Sequence, residues 1–184
     1  MKIPNSGRRK ALIVVDVQPP SINERTEYVV SNIEKLLRSG VKYDLYVEAL
    51  FHAEKGSLWD LQHGWTFPKS DRFYSAGKIG ELLKSHKAIT IEKSTKSAFK
   101  GNVDLRKKLL ENEITEIHVL GIDTCDCVLA TAYEAFDLGF FTYVIEECCQ
   151  VGTRQDRHED AINIFRYINM TNNTVKEAIQ FVDV

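Results

Sequence analysis

An α/β fold is predicted, with helices on both faces of an open, mostly parallel sheet of about five or six strands. Five runs are rich in apolar and β-branched residues, and helical patterns separate these runs. A strand that is buried on both faces is apolar without alternation, and strands that alternate with helices are typical of right-handed crossovers. The predicted strands cover residues 11–17, 44–51, 87–93, 116–122 and 140–146, with a sixth expected near 169–173.

Helices are predicted in the segments between the strands. The first is expected to begin at Ser21, where Ser-Ile-Asn-Glu has the spacing of a capping box, and to end at Gly40. The others are predicted over residues 79–83, 102–110, 126–138 and 155–168, with a last short helix from Thr174.

Segment 53–74 is the least regular part of the chain and is rich in aromatic residues. A long loop of this kind over strand ends is often functional, but its aromatic side chains could equally form a satellite core. If the loop forms a pocket wall, Trp65 is the first candidate to line it.

The composition indicates one globular domain. The chain has 184 residues, and we expect a disordered tail over residues 1–9 followed by a single domain over 10–184. Lys plus Arg number 24 against 26 Asp plus Glu, with no sustained basic run, so nucleic acid is not expected as a partner. The polar N-terminus and the absence of a long apolar stretch predict a cytoplasmic protein without a membrane partner. We also expect a homo-oligomer.

The four cysteines form two close groups, Cys125 with Cys127 and Cys148 with Cys149. In a chain without a secretory signal, reduced thiols are the default. Neither group has the usual Cys-x-x-Cys spacing of a zinc site, and no cofactor is predicted.

Cys127 is the candidate nucleophile because it opens the helix that follows the fourth strand, whereas Cys125 still lies in the turn. The positive end of a helix is expected to stabilise a thiolate, and its unpaired N–H groups can hold an oxyanion. The alternative is a buried and inert cysteine.

Two charged residues stand at the ends of other strands. Asp16 ends the first apolar run and Lys93 ends the third. Because ligands bind beyond the carboxyl ends of parallel strands, the acid, the amine and the thiol are expected to converge. The alternative for Lys93 is a solvated cation, as we expect for Lys96 and Lys100.

The sequence resembles the isochorismatase-like cysteine hydrolases, which include the nicotinamidases. The matching residues are Asp16-Val-Gln, Lys93 with Ser97-Ala-Phe four residues on, and Gly121-Ile-Asp-Thr-Cys-Asp-Cys-Val leading into Thr131-Ala. The resemblance covers roughly residues 10–165. It implies a Rossmann-like three-layer sandwich and a catalytic triad of Asp16, Lys93 and Cys127. It also implies a cis peptide between Ile122 and Asp123, which directs the N–H groups of Asp123 and Cys127 at the oxyanion.

These residue types support hydrolysis of a small carboxamide or a related C–N bond through a thioester on Cys127. Lys93 is expected to keep Asp16 and Cys127 ionisable at neutral pH, and Asp16 to act first as base and then as acid. Gln18, Trp65 and Phe99 are the candidate residues of a pocket for a small-molecule substrate.

Metal binding is not predicted. The nicotinamidases carry an Asp-x-His pair just after the second strand, together with further histidines that bind a divalent ion. Leu50 stands at the matching Asp position, which leaves His52 alone with His63 downstream. This departure also argues against nicotinamide itself as the substrate.

Two alternative functions stay open. One is a catalytically idle α/β module that uses Cys125 and Cys127 as a thiol sensor or serves as an interaction subunit. The other is a vinyl ether hydrolase of the isochorismatase type. Those enzymes lack the cysteine at this position, so Cys127 weighs against that activity. The sequence does not name the substrate.

Overall fold

The computed structural model describes residues 7–70 and 73–171. In this part of the chain, five strands form one parallel sheet in the order β3-β2-β1-β4-β5. The predicted α/β class is confirmed. The strands are β1 (Lys10–Val15), β2 (Leu45–Phe51), β3 (Ile89–Lys93), β4 (Glu116–Ile122) and β5 (Phe141–Gln150).

Helices connect the strands and cover both faces of the sheet. Right-handed crossovers place α1 and α3 on one face, where they pack against each other, and α4 and α5 on the other. The helices are α1 (Glu27–Arg38), α2 (Leu58–His63), α3 (Ile79–Ser85), α4 (Leu105–Glu111), α5 (Leu129–Asp137) and α6 (Gln155–Tyr167). None of the helices in the described ranges has the length and apolar character needed to cross a bilayer.

The start of the first helix differs from the prediction. Residues Pro19–Ser21 form a short 3₁₀ turn, and α1 begins only at Glu27. The hydroxyl of Thr26 donates a hydrogen bond to the carbonyl of Ser21 at 2.9 Å. Ser21 therefore ends a turn instead of capping a helix. The same hydroxyl oxygen accepts a hydrogen bond from the backbone N–H of Asn23 at 2.8 Å. These hydrogen bonds stabilise the turn over an earlier start of the helix.

The C-terminal predictions lie partly outside the described residues. Strand β5 is longer than predicted, because it continues past Glu146 to Gln150 and includes both buried cysteines of the second group. At the predicted sixth strand, Thr171 forms a single parallel bridge with Val144. Residues 172–173 and the predicted helix from Thr174 lie outside the described ranges. All four cysteines are free thiols, as expected.

The prediction of a disordered tail over residues 1–9 is wrong at Arg8 and Arg9. Arg8 donates to Glu116 at 3.0 Å and covers the ring of Phe141, while Arg9 donates to the carbonyl of Asn112 at 2.8 Å. The carboxylate of Glu116 is buried, so a cation beside it is favoured over a solvated tail. Residues 1–6 lie outside the described part of the chain.

The strand order creates the crevice in which a site can form. The chain moves outward from β1 through β2 to β3, and then returns to the other side of β1 with β4 and β5. In open parallel sheets, ligands bind at the carboxyl ends of the strands where the order reverses in this way. The crevice therefore lies beyond Val15 of β1 and Ile122 of β4.

Gly121 allows β1 and β4 to meet closely at this crevice. It pairs in register with Val15, and its φ is +134°, in the region that favours glycine. A Cβ atom added to Gly121 would lie 2.0 Å from the carbonyl oxygen of Val15, which belongs to the backbone and cannot move aside. A side chain at this position would separate the two central strands.

We predict that Gly121→Ala lowers the free energy of unfolding by at least about 3 kcal/mol, because it adds a backbone clash to an unfavourable φ. Gly139→Ala is the matched control. Gly139 has a φ of +94° but nothing within 4 Å of an added Cβ, so its substitution should cost only about 1 kcal/mol. Urea denaturation measures both values. Equal losses for the two variants would show that the close approach of β1 and β4 is not tight.

Candidate active site

A buried ion pair joins the ends of β1 and β3. Lys93 Nζ lies 2.6 Å from Asp16 Oδ2 and donates a second hydrogen bond to the carbonyl of Thr95 at 3.0 Å. The lysine is 1% exposed, so it is not one of the solvated cations. Its side chain crosses the end of β2, where the ammonium lies 5.0 Å from the ring centroid of Phe51.

The backbone at Asp16 turns out of the sheet. Its φ is +54°, a left-handed conformation that aspartate tolerates better than most residues, and its N–H donates to the carbonyl of Ala49 at 3.0 Å. The chain thus leaves β1 at a residue that is still hydrogen-bonded to β2. This turn directs the carboxylate into the crevice, where its Oδ2 meets Lys93.

Cys127 reaches the same crevice from β4. Residues Thr124–Val128 form a π-helical turn that leads into α5, so the predicted helix start at 126 falls inside this turn. The cis peptide between Ile122 and Asp123 is present. The Asp123 side chain accepts the N–H of Gly152 at 2.8 Å, which ties the start of the turn to the end of β5.

The thiol of Cys127 lies beside the carboxylate of Asp16. Asp16 Oδ1 is buried and has no hydrogen-bond partner among the described residues. The Cys127 thiol is nevertheless close enough to lower the pKa of Asp16 somewhat, against the larger opposite effect of burial. One carboxylate oxygen therefore holds Lys93, and the other is available to the thiol.

These residues line a cavity of about 350 Å³. Asp16, Asp123 and Cys127 contribute to its wall, as do Gln18 and Trp65 from the predicted pocket set. Phe99 is a correction: it is not among the described lining residues, and it packs instead against the hydrophobic core. The lining residues that the sequence analysis did not assign are Ser21, Phe51, Trp59, His63, Phe67, Ile122 and Asp126.

Gln18 has a structural task at the cavity wall. Its amide nitrogen donates to the carbonyl of Phe51 at 3.2 Å, and its amide oxygen accepts the N–H of Phe51 at 2.7 Å. The buried carboxamide thus continues the pairing of β1 with β2 beyond the last strand residue. These two bonds position Phe51, and they use one of the two N–H donors and one of the two oxygen lone pairs of the Gln18 amide.

The aromatic side chains of the loop form one wall of the cavity. Phe51 stacks on Trp65 at a centroid distance of 5.9 Å and meets Trp59 edge-on at 5.2 Å, while Phe67 lies 5.6 Å from Trp65. Trp65 remains 45% exposed. The two interpretations of this loop are therefore both correct in part, because the rings pack together and also face the cavity.

Comparison with known proteins identifies the family. Residues 10–177 match the family model described as isochorismatase domain. The chain belongs to the isochorismatase family. It is 29% identical over 160 residues to an uncharacterized isochorismatase family protein, YrdC, of Bacillus subtilis (strain 168), and the match covers 82% of this chain and 79% of that protein.

Solved structures support the same assignment. The nicotinamidase PncA of Bacillus subtilis has a TM-score of 0.72 and 25% identity, and covers 89% of this chain and 98% of its own. The pyrazinamidase/nicotinamidase of Streptococcus mutans UA159 has a TM-score of 0.74 at 20% identity, with 88% and 98% covered, and so shows the shared fold. Membership of the isochorismatase family makes this chain a hydrolase of the α/β class.

The metal site implied by the nicotinamidase relatives does not fit the described residues of this isochorismatase-family chain. No group of three or more His, Cys, Asp or Glu side chains in ranges 7–70 and 73–171 could hold a metal ion. Leu50 offers no ligating atom, and His52 Nδ1 lies 3.6 Å from the exposed Glu54. His63 packs its ring against Trp59 at 5.3 Å.

Burial shifts the pKa values of both Cys127 and Asp16. It raises the pKa of the Cys127 thiol well above its ordinary value, helped by the Asp16 carboxylate, and Lys93 offsets only part of this rise. It also raises the pKa of Asp16 despite the opposite effect of Lys93. Burial therefore opposes the stabilisation of a thiolate that was expected from the helix start, and it favours the protonated thiol of Cys127.

A second contact anchors the π-helical turn Thr124–Val128 to α6. Thr124 Oγ1 lies 2.9 Å from His158 Nδ1, and both residues are buried. Burial lowers the pKa of His158, so the ring is neutral at physiological pH. The sequence offers no motif for this contact, because it depends on how α6 packs against the turn.

We predict that Asp16→Asn speeds alkylation of Cys127. Removing the carboxylate removes a cause of the raised thiol pKa, so the thiolate fraction at a given pH should increase. The amide oxygen can still accept a hydrogen bond from Lys93, which favours a folded variant. The measurement is the rate of iodoacetamide addition between pH 7 and 10, followed by intact mass. A Cys125→Ala background removes the more exposed thiol from the measurement.

In the same background with Asp16 intact, the rate should rise steadily with pH, because the raised pKa leaves little thiolate at pH 7. A plateau near neutral pH would contradict the assignment of a protonated thiol. Slower labelling after Asp16→Asn would show that the carboxylate does not raise the thiol pKa.

Proposed function

We propose that this isochorismatase-family protein hydrolyses a small carboxamide or a related C–N bond through a thioester on Cys127. The observation that supports the proposal most is that Asp16 and Cys127 line one cavity from different strand ends, while the buried Lys93 reaches Asp16 from a third strand end. The structural likeness to a nicotinamidase at 25% identity supports amide chemistry. A small molecule is the partner that a cavity of about 350 Å³ suits.

In the acylation step, Cys127 Sγ attacks the carbonyl carbon of the amide while Asp16 takes the thiol proton. Because burial raises the pKa values of both groups, the proton moves between two sites in a low-dielectric environment. The C–N bond then breaks, and Asp16 returns the proton to the leaving nitrogen. Ammonia or an amine leaves, and the acyl group stays on the sulfur as a thioester.

In the deacylation step, water attacks the thioester carbon and Asp16 takes its proton. The C–S bond breaks, the carboxylic acid leaves, and the proton restores the Cys127 thiol. The ammonium of Lys93 stays paired with Asp16 throughout and holds the carboxylate in position. The backbone N–H groups of Asp123 and Cys127 are the proposed donors to the oxyanion, and each such donor contributes about 2.7–4 kcal/mol to lowering a barrier.

The alternative functions fit the site less well. An idle module has no need for a lysine that is almost fully buried against a carboxylate, because moving each of the two charges out of water costs several kcal/mol. Vinyl ether hydrolysis leaves the cavity-facing thiol without a task. The homo-oligomer stays a prediction, as does the proposed freedom from a cofactor.

The test uses a panel of small carboxamides, with ammonia release followed in solution and the acyl adduct followed by intact mass. We expect Cys127→Ala to lose both signals, because no thioester can form. Asp16→Asn should lower kcat by roughly 10²–10⁴-fold, because an amide cannot carry the proton. Cys125→Ala is the matched control and should retain both signals.

If Cys125→Ala loses ammonia release while Cys127→Ala stays active, Cys125 and not Cys127 is the nucleophile. Full activity in both Cys127→Ala and Asp16→Asn would refute the hydrolase mechanism and favour the idle module.

A separate prediction concerns metal. Because Leu50 replaces the carboxylate expected in a metal-binding relative, and the described residues offer no alternative ligand set, activity should survive exhaustive dialysis against a chelator. The measurement compares kcat/KM before and after dialysis, with added Zn²⁺, Fe²⁺ or Mn²⁺ as a third condition. Loss of activity that one of these ions restores would contradict the prediction.

A further inference from the structure

The ammonium group of a lysine side chain lies at the edge of the cavity. The ammonium of Lys96 lies 4.9 Å from the centroid of the Trp59 ring and forms an ion pair with Asp126. Trp59 and Asp126 both line the cavity, and Asp126 is the residue directly before Cys127. Lys96 was expected to be a solvated cation, but its ammonium lies on an aromatic face beside a carboxylate.

The cavity wall favours positive charge. Three of its side chains, Asp16, Asp123 and Asp126, are carboxylic acids, and no Lys or Arg is among the described lining residues. Asp16 is held by the buried Lys93 and Asp123 accepts the N–H of Gly152, whereas the partner of Asp126 is the exposed Lys96. Asp126 is therefore the carboxylate that a ligand cation can reach most easily. Aromatic faces next to a carboxylate are the chemistry that recognises ammonium and quaternary ammonium groups.

Lys96 occupies this position on a flexible stem. Its side chain is 51% exposed, and an ion pair with that exposure is weak, so the ammonium can move into water at little cost. A substrate that carries a cationic group in the same molecule as the reacting amide would place that group on Trp59 and Asp126, where the Lys96 ammonium now lies.

We propose that Trp59 and Asp126 form a subsite for a positively charged group at the end of the substrate's acyl chain, and that this group displaces Lys96. The substrate class is a carboxamide that carries an alkylammonium or quaternary ammonium group. This proposal rests on the proposed amide hydrolysis at Cys127. Because Asp126 and Cys127 are neighbours in the chain and line one cavity, a short acyl chain spans the two positions.

The test compares two isosteric amides that differ only in charge. One is 5-(trimethylammonio)pentanamide and the other is 6,6-dimethylheptanamide, in which a carbon atom replaces the charged nitrogen. Adipamic acid serves as the anionic comparison. We expect kcat/KM for the cation to exceed that for the neutral isostere by roughly fivefold or more, and the anion to be the poorest substrate.

The variants give opposite expectations. Asp126→Asn should lower the cation-to-neutral ratio of kcat/KM by roughly fivefold, because it removes the negative partner. Lys96→Met should raise this ratio by roughly threefold, because it removes the competing ammonium and keeps a similar stem. Lys100→Met is the matched control: Lys100 pairs with Glu134 and does not line the cavity, so the ratio should not change.

Binding provides a second readout that does not need turnover. Calorimetry with Cys127→Ala protein should show tighter binding of the cationic amide than of its neutral isostere, and the difference should shrink at high salt.

The outcomes separate the two proposals. If the neutral amide is hydrolysed but the ratio stays near one in all variants, the subsite is refuted while amide hydrolysis stands. A lower ratio in Lys96→Met would also overturn the proposal, because it would mean that Lys96 supports the substrate. If the Cys127→Ala protein binds both isosteres equally and the wild-type protein hydrolyses no amide, both proposals fail.

Discussion

The buried pair of Lys93 and Asp16 is the contact on which the site depends. A lysine that is 1% exposed requires a compensating charge, because an unpaired ammonium in the protein interior costs several kcal/mol. The pair also requires a particular topology. Lys93 ends β3 and Asp16 follows β1, so the side chain must pass over the end of β2. Phe51 at that point provides an aromatic surface for the ammonium, and Gln18 holds Phe51 in place.

The electrostatics of the site follow from burial more than from the ammonium. Lys93 lowers the pKa values of Asp16 and Cys127, yet desolvation outweighs it in both cases. Burial therefore favours the protonated thiol of Cys127, and in the proposed mechanism the proton leaves only when a base accepts it during attack. A protonated thiol reacts more slowly with electrophiles than a thiolate does, since reactivity follows the thiolate fraction. In that mechanism, the base is the carboxylate oxygen of Asp16 that has no hydrogen-bond partner among the described residues.

Much of the fold could be predicted because its signals are local. Apolar runs identified the five strands, and the positions of Asp16, Lys93 and Cys127 at strand ends predicted their convergence. The start of the first helix was missed because the Thr26 hydroxyl pairs with Ser21, a contact that competes with the capping box. The pairing of Gln18 with Phe51 and that of Lys96 with Asp126 were missed because each joins residues far apart in the chain. Phe99 was misassigned because proximity to Lys93 in sequence does not determine which way a side chain points.

The most direct measurement of the central claim is the pH dependence of kcat/KM in the wild type and in Lys93→Met, with Lys100→Met as control. If Asp16 must be ionised to act as base, the acidic limb of the profile reports its pKa in the free enzyme. Removing the neighbouring ammonium removes the main opposition to the effect of burial, so the limb in Lys93→Met should move to higher pH by about one unit or more. It should stay in place in Lys100→Met. An acidic limb that Lys93→Met leaves at the wild-type position would contradict the claim that Lys93 controls the base.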